Sequence, residues 1–218
     1  MSKILVVAAH PDDEWLGCGG TILKHINDGD EGQTLFISDG YSSRQKNITK
    51  KRNNSTKNIM KEIGANDPIF FDFPDNKLDS VPILEIIQKI EDIKSFFDPT
   101  DVYTHFFGDL NIDHKITCNA VCTAFRPMPN EQLKQLNHFE VISSTDWSLE
   151  KTFSPNYFVD ISNYYQKKIE LLAFYDEEMR SSPHSRSLAN MKNLASLRGN
   201  TVGLSEAEAF FVSRMIKI

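Results

Sequence analysis

Residues 9–14 read Ala-His-Pro-Asp-Asp-Glu and place a histidine and three carboxylates directly after the apolar run 4–8. Asp12 and Asp13 are neighbours in the chain, so they repel each other unless a cation lies between them or one stays protonated. A metal ion resolves this conflict if it takes one carboxylate as a ligand and leaves the other to face the metal-bound water. Acidic residues also occur at helix N-termini because they interact favourably with the helix dipole. His10, at the end of the predicted strand, favours the metal interpretation.

A second stretch with chemical potential, residues 105–114, leaves a predicted strand, crosses a loop and enters a helix. His114 can approach the same edge of the sheet as His10. Two imidazoles and one carboxylate, with an open fourth position, are the ligands of a catalytic zinc site, and the same set also suits iron(II). Asp113 is placed to orient an imidazole. The two stretches together predict a metal site.

A zinc ion bound in this way brings the pKa of its water to about 7 and polarises a carbonyl oxygen. Asp12, when it is not a ligand, can accept the proton of this water during attack and return it to a leaving amine. The products are an acid and a free amine, so the residues predict hydrolysis of an amide.

Hydrophobic periodicity indicates the elements that position these residues. Short apolar runs alternate with longer amphipathic stretches in the first half, which is typical of βαβ units on a parallel sheet with both faces covered. Strands are predicted at 4–8, 34–37, 69–71 and 101–105, and helices at 20–28, 50–63, 83–97 and 116–125. The second half is predicted to hold mixed segments around 140–142 and 157–160, helices near 164–179 and 188–198, and a last element at 207–216. No linker or repeat interrupts the chain, so one domain over residues 1–218 is expected.

Polar side chains follow each of the four predicted strands. In parallel sheets, ligands bind outside the carboxyl ends of the strands. We therefore expect these side chains at one edge of the sheet. They are His10, Asp39, Asp72 and His105.

The composition excludes several classes of protein. Among 218 residues, 30 are acidic and 24 are basic, and no Lys/Arg block is longer than 50–52, which argues against a nucleic-acid surface. No apolar run approaches the roughly 18 residues that span a bilayer, and the first strand begins too early for a secretory signal. Cys18, Cys118 and Cys122 form no C-x-x-C pair, and their odd number fits a reducing compartment. We expect a cytoplasmic protein without an integral membrane segment.

The stretch 9–14, the Gly-Cys-Gly-Gly stretch 17–20 close behind it and the Asp-His pair 113–114 far downstream resemble the zinc-dependent de-N-acetylases of the PIG-L/LmbE family. The resemblance continues over essentially the whole chain at 74–79, 108–114, 126–127, 144–147, 155–156 and 183–187. It implies a Rossmann-like α/β fold, with a mostly parallel sheet. It also implies removal of acetyl from an N-acetylated amino sugar, typically a glucosamine unit in a glycoconjugate or a cell-envelope precursor.

The resemblance also assigns roles to individual residues. It implies that His10, Asp13 and His114 bind one zinc ion per chain. It implies that Asp12 is the general base and that Asp113 orients an active-site histidine. The expected partner is a small N-acetylated sugar or sugar conjugate. Assembly of the chain into a homo-oligomer is compatible with the sequence.

Asn111 departs from the family pattern, because many members carry histidine at the first position of H-x-D-H. An amide can donate a hydrogen bond to an oxyanion, but it cannot deliver a proton. We hypothesise that His105, arriving from the strand end, or Asp12 alone supplies the proton to the leaving amine.

A second departure lies at residues 51–54, Lys-Arg-Asn-Asn, where members often show R-R-x-E. Arg52 is expected to contact the sugar or an attached phosphate, or else to be a solvated helix charge. Asp109 is expected to hydrogen-bond sugar hydroxyls or to shape its loop. His184 and Arg186 belong to a stretch that resembles the family, but the residues themselves indicate no role.

Other functions compete with the deacetylase. Residues 17–20 suggest a dinucleotide-binding turn, but they do not fit G-x-G-x-x-G at the strand end, and the neighbouring acids would repel a pyrophosphate. A related zinc amidase acting on a thiol-sugar or another N-acyl conjugate also fits the residues. Asn111 keeps a catalytically silent sugar-binding relative open.

Overall fold

The chain folds into one seven-stranded sheet flanked by six α-helices, within the residues that the computed structural model describes (1–38, 46–149 and 151–217). The strands are β1 Lys3–Ala8, β2 Glu31–Ser38, β3 Ile69–Phe73, β4 Asp101–His105, β5 Gln135–Phe139, β6 Tyr157–Asp160 and β7 Ala207–Met215. The helices are α1 Asp13–Asn27, α2 Lys46–Ile63, α3 Ile83–Phe97, α4 Ile112–Ala124, α5 Tyr165–Leu172 and α6 Leu188–Thr201. No described helix has the length and apolar character needed to cross a membrane.

The strand order is β3-β2-β1-β4-β5-β7-β6, which places β1 near the centre of the sheet. The first five strands in this order are parallel, and β7 runs antiparallel to β5 and β6. Val6 of β1 is in register with Thr34 and Tyr103 on its two neighbours. The expected α/β fold with a mostly parallel sheet is therefore confirmed, and the carboxyl ends of β1 and β4 meet at one edge.

Helices cover both faces of this sheet, as β1 shows. Ile4 and Val6 pack in the apolar layer formed with α1, α2, α5 and α6, whereas Leu5 and Val7 pack in the layer formed with α3 and α4. Burial on both faces explains why β1 is a continuous apolar run rather than an alternating one. Each fully buried side chain of this size contributes about 1.5–3 kcal/mol by leaving water.

The glycines after the acidic stretch serve close packing rather than phosphate binding. A Cβ on Gly20 would lie 2.8 Å from the side chain of Ile161, and one on Gly19 would lie 2.9 Å from the ring of Trp15. A Cβ on Gly17 would overlap the ring of Phe139. Gly17 and Gly20 therefore let α1 lie directly on its neighbours, and Gly19 leaves room for the ring of Trp15 in the same helix.

Several boundaries differ from the sequence-based expectation. Helix α1 begins at Asp13, seven residues before the predicted start, and is kinked at Cys18. Strand β5 covers 135–139 instead of the expected segment around 140–142. The long helix expected over 164–179 is α5 followed by a 3₁₀ turn at Ala173–Glu178.

Candidate active site

The connection from β1 to α1 forms the floor of the candidate site. Asp12 has φ of 113°, a conformation that glycine favours and that costs other residues about 1–3 kcal/mol. Backbone hydrogen bonds hold it there: its N–H donates to Oε2 of Glu14 at 2.8 Å, and its C=O accepts from the N–H groups of Trp15 at 3.1 Å and Leu16 at 2.9 Å. The turn thereby brings neighbouring carboxylates to the carboxyl end of β1.

The three residues expected to bind metal lie together. Oδ2 of Asp13 is 3.1 Å from Nδ1 of His10 and 3.2 Å from Nε2 of His114. All three residues are buried, and their potential ligand atoms lie within 4.8 Å of one another. The structure therefore joins the two sequence stretches into one group of metal-ligand type.

A carboxylate supports His114 from behind. Nδ1 of His114 lies 3.2 Å from Oδ2 of Asp109. Asp109 also accepts hydrogen bonds from the hydroxyls of Ser144 and Thr145 and from the N–H of Asn111. Burial raises the pKa of Asp109, but the hydrogen bond to His114 and its charge, together with the hydroxyls of Ser144 and Thr145, outweigh burial and bring the pKa to about 2. Asp109 is fully buried and does not line the site cavity. Its hydrogen bonds are those of the loop-shaping alternative, and the contact with sugar hydroxyls stays a prediction.

His10 is supported in the same way on its other side. Its Nε2 lies 3.0 Å from Oδ1 of Asp75 and 3.1 Å from Oδ2 of Asp113. Asp113 also accepts from the N–H groups of Asn76 at 2.7 Å and Leu78 at 3.1 Å. The position of Asp113 agrees with the predicted role of orienting a histidine, and the histidine it contacts is His10.

The electrostatics of the group favour positive charge beside Asp13. Burial lowers the pKa of His114, yet the charge of Asp13 and the hydrogen bond to Asp109 raise it to about 9. The pKa of His10 is also raised well above its ordinary value, against burial, by hydrogen bonds to nearby carboxylates. Burial raises the pKa of Asp13, but His114 and His10 hold it well below its usual range. Imidazolium groups or a metal cation can supply the required charge.

The donor set fits a divalent transition metal. Two imidazole nitrogens and one carboxylate oxygen are ligands of catalytic zinc, and iron(II) accepts the same set. The outer nitrogen of each imidazole faces a carboxylate, which fixes the tautomer and leaves the lone pair of the inner nitrogen for a metal. His10 and His114 both have this arrangement around Asp13.

The carboxylate of Asp12 is held on both oxygens. Oδ1 accepts from Nη2 of Arg52 at 2.8 Å, and Oδ2 accepts from Nη1 of Arg186 at 2.8 Å. Burial raises the pKa of Asp12, although the two guanidinium groups oppose this rise. Arg52 is buried and is not the solvated helix charge that the sequence left open. The sequence assigned no role to Arg186, and its only signal was the resemblance at 183–187.

Two further residues support this turn. Oε1 of Glu14 accepts from the hydroxyl of Tyr175 at 2.8 Å, while Oε2 of Glu14 holds the N–H of Asp12. Burial raises the pKa of Glu14 to about 8. Tyr175 lies in the 3₁₀ turn that follows α5, so a residue from the second half of the chain stabilises the turn between β1 and α1.

The open side of the site is a small cavity. Its lining, among the described residues, is made only of polar and charged side chains: His10, Asp12, Asp13, Arg52, Asp75, Asn76, Asn111 and Arg186. Oδ1 of Asn111 accepts from the N–H of Asp113 at 2.8 Å and caps α4. Its amide nitrogen is therefore the part of the side chain that can donate to a ligand.

His105 lies behind this cavity. Its Nε2 accepts from the N–H of Ala9 at 2.8 Å, and its ring stacks on that of His114 with centroids 3.8 Å apart. Burial and the charge of His114 hold the pKa of His105 well below its ordinary value. His105 is fully buried and absent from the cavity lining. This placement argues against His105 as the proton donor to a leaving amine.

The expected row of strand-end residues is only partly formed. Asp39 lies outside the described residues. Asp72 does not reach the site, because β3 continues to Phe73 and leaves Asp72 exposed, where it pairs with Lys89 at 2.9 Å. Asp75, which the sequence did not single out, occupies the site in its place.

Comparison with known proteins identifies the family. The family model for the GlcNAc-PI de-N-acetylases, PIG-L, matches residues 5–125, more than half of the chain. The uncharacterized deacetylase YaiS of Escherichia coli K12 is 29% identical over 131 residues, which are 58% of this chain and 69% of YaiS.

Solved structures share the fold. N,N'-diacetylchitobiose deacetylase from Pyrococcus horikoshii has a TM-score of 0.80 at 19% identity, over 98% of this chain and 84% of that protein. GalB, the 4-carboxy-2-hydroxymuconate hydratase of Pseudomonas putida KT2440, has a TM-score of 0.76 at 19% identity, over 100% of this chain and 98% of GalB. At these identities the likeness concerns the fold alone. The family match confirms the resemblance seen in the sequence: this chain belongs to the GlcNAc-PI de-N-acetylase (PIG-L) family.

Proposed function

We propose that this protein is a metal-dependent hydrolase that removes the N-acetyl group from an N-acetylated amino sugar, such as an N-acetylglucosamine unit of a glycoconjugate or envelope precursor. The observation that carries the proposal is the position of Asp13. Its Oδ2 lies within 3.2 Å of a nitrogen of both His10 and His114, and Asp12 opens onto the same cavity. Membership in a de-N-acetylase family supports the reaction class.

His10, Asp13 and His114 would hold one zinc ion per chain, and iron(II) would fit the same donors. When bound, such a metal lowers the pKa of a coordinated water and polarises a carbonyl oxygen. The carboxylates of Asp109, Asp75 and Asp113 keep the two imidazoles oriented for this task.

Asp12 carries the proton transfer. It lines the cavity beside Asp13 and can accept a proton from the water that attacks the amide carbon. It then delivers this proton to the nitrogen of the leaving amine as the C–N bond breaks, which yields acetate and the free amino sugar. Because His105 is enclosed behind His114, Asp12 alone performs both steps.

Asn111 occupies the position where many members of the family have histidine. Its Oδ1 is engaged by the N–H of Asp113, so its amide nitrogen donates to the oxyanion that develops on the amide carbonyl. The residue therefore stabilises charge without exchanging a proton.

The chemistry of the cavity favours a sugar. Every lining side chain offers donors or acceptors, which suits the hydroxyls of a sugar better than an apolar acyl chain. The chitobiose deacetylase of the same fold acts on an acetylated amino sugar, in agreement with this choice. GalB has the fold and is a hydratase, so the fold by itself does not select the reaction.

A substrate panel tests the proposal. Purified protein is stripped with a chelator, reloaded with zinc and assayed for acetate release from N-acetylglucosamine, N,N'-diacetylchitobiose and a sugar-free N-acetyl amine. Zinc-dependent release from the sugars alone supports the proposal. Release from the sugar-free amide as well indicates a broader amidase, and sugar binding without release indicates a silent relative.

A further inference from the structure

The carboxylate of Asp12 belongs to a closed ring of four charged side chains. Nη2 of Arg52 lies 2.8 Å from Oδ1 of Asp12, and Nε of Arg52 lies 3.4 Å from Oε1 of Glu178. Nη1 of Arg186 lies 3.6 Å from Oε2 of Glu178 and 2.8 Å from Oδ2 of Asp12. Acidic and basic side chains alternate around this charge ring, so each carboxylate faces two guanidinium groups and each guanidinium group faces two carboxylates.

The charge ring joins distant parts of the chain. Asp12 precedes α1 and Arg52 lies in α2, whereas Glu178 ends the 3₁₀ turn after α5 and Arg186 lies just before α6. The family model ends at residue 125, so Glu178 and Arg186 lie beyond the part of the chain that it matches. The C-terminal part of the chain therefore supplies half of the ring.

The two arginines hold Asp12 in different ways. Arg52 is buried and also donates to the carbonyl oxygen of Pro11, which fixes it against the turn itself. Arg186 is half-buried on the cavity side, and its Nε donates to the hydroxyl of Ser143 at 2.9 Å. The fork of Arg186 thus spans from the loop after β5 to Oδ2 of Asp12, which a single ammonium group cannot reproduce.

Asp12 requires such support. Its backbone is in a conformation that persists only when the surroundings over-determine it. Each carboxylate oxygen offers two acceptor positions, so Asp12 can hold one guanidinium on each oxygen and still accept a proton. The ring therefore fixes the orientation of the carboxylate without blocking its chemistry.

We propose that Arg186 and Glu178 are positioning residues that hold the carboxylate of Asp12 in its reactive orientation through the charge ring. This inference rests on the proposed function, in which Asp12 is the general base. Neither residue needs to touch the substrate for this role.

Kinetics of Arg186→Ala, Arg186→Lys and Glu178→Gln, each loaded with zinc, test the proposal. The control is Arg180→Ala, because Arg180 lies in the same loop, is exposed and, within the described part of the chain, its side chain donates only to backbone carbonyls. We expect Arg186→Ala and Glu178→Gln to lower kcat by about 10-fold or more with little change in KM, as losses of supporting partners do. Arg186→Lys should be intermediate, added guanidinium should partly restore Arg186→Ala, and Arg180→Ala should match wild type.

Crystal structures of the Arg186→Ala variant and wild type give a readout that needs no activity. The proposal expects the Asp12 carboxylate to turn away from its wild-type orientation while the fold is kept. An unchanged orientation of the Asp12 carboxylate overturns the positioning role, whether or not the protein turns over substrate. Wild-type protein that turns over no substrate contradicts the proposed function separately. Unchanged kcat in an active enzyme, or a rise in KM alone, also overturns positioning and leaves the deacetylase intact.

Discussion

Oδ2 of Asp109 lies 3.2 Å from Nδ1 of His114, and this contact decides which nitrogen of the imidazole faces Asp13. The hydroxyls of Ser144 and Thr145 hold the same carboxylate in place. The first turn of α4 thus supplies His114 as a candidate metal ligand, and the loop between β4 and α4 supplies Asp109 as its support.

Replacing Asp109 with asparagine should weaken metal binding. The amide has no negative charge to hold the imidazole N–H, so we expect the affinity for zinc to fall by about 10- to 100-fold. Competition with a chromophoric chelator measures this affinity. Asp72→Asn is the control, since Asp72 is exposed and distant from the site contacts. Equal zinc affinity in Asp109→Asn and wild type would contradict the supporting role.

Replacing His105 with phenylalanine should affect stability rather than proton transfer. The variant keeps a stacked ring but removes the acceptor for the N–H of Ala9, which leaves a buried donor unpaired and costs about 1–3 kcal/mol. Urea unfolding measures the loss, and the pH profile of kcat should keep its shape. A lost basic limb of that profile, with unchanged stability, would restore His105 as the proton donor.

The protein stripped of metal should be less stable at alkaline pH. The folded-state pKa of His114 is about 9, above its ordinary value of 6.5. A raised histidine pKa contributes stability that is fully present below pH 6.5 and is lost as pH rises through 9. Urea unfolding in excess chelator, from pH 6 to pH 9.5, should show this decline. His114→Gln should show a flatter dependence over the same range, and an equally steep decline in this variant would contradict the assignment to His114.

The sequence predicted the first half of the fold well. Helix α3 and strand β4 have the predicted bounds, and in α3 the apolar residues recur at helical spacing. Strand β5 escaped prediction because its buried side chains include Asn137 and His138, whose Nδ2 and Nδ1 atoms contact the carbonyl oxygens of Val102 and His105 only in the folded sheet. Periodicity detects buried apolar faces, and it misses a strand whose burial depends on hydrogen bonds.

The sequence likewise predicted some residues of the candidate site and missed others. His10, Asp12 and Asp13 lie within four consecutive residues, so their joint chemistry was visible from the sequence. Asp75 and Arg186 reach the site through distant loops, and neither residue type nor spacing places them there. Asp72 was wrongly expected at the site because the predicted end of β3 was two residues short.

Metal content and acetate release, measured side by side on wild type and Asp12→Asn, test the central claim most directly. The substitution keeps the size of the side chain but removes the proton acceptor, and it leaves the three proposed ligands in place. We predict about one equivalent of zinc in both proteins, as expected for one three-ligand site, and acetate release from N-acetylglucosamine substrates in wild type alone. Acetate release at the wild-type rate from Asp12→Asn, or wild-type protein that binds no metal and releases no acetate, would contradict the account.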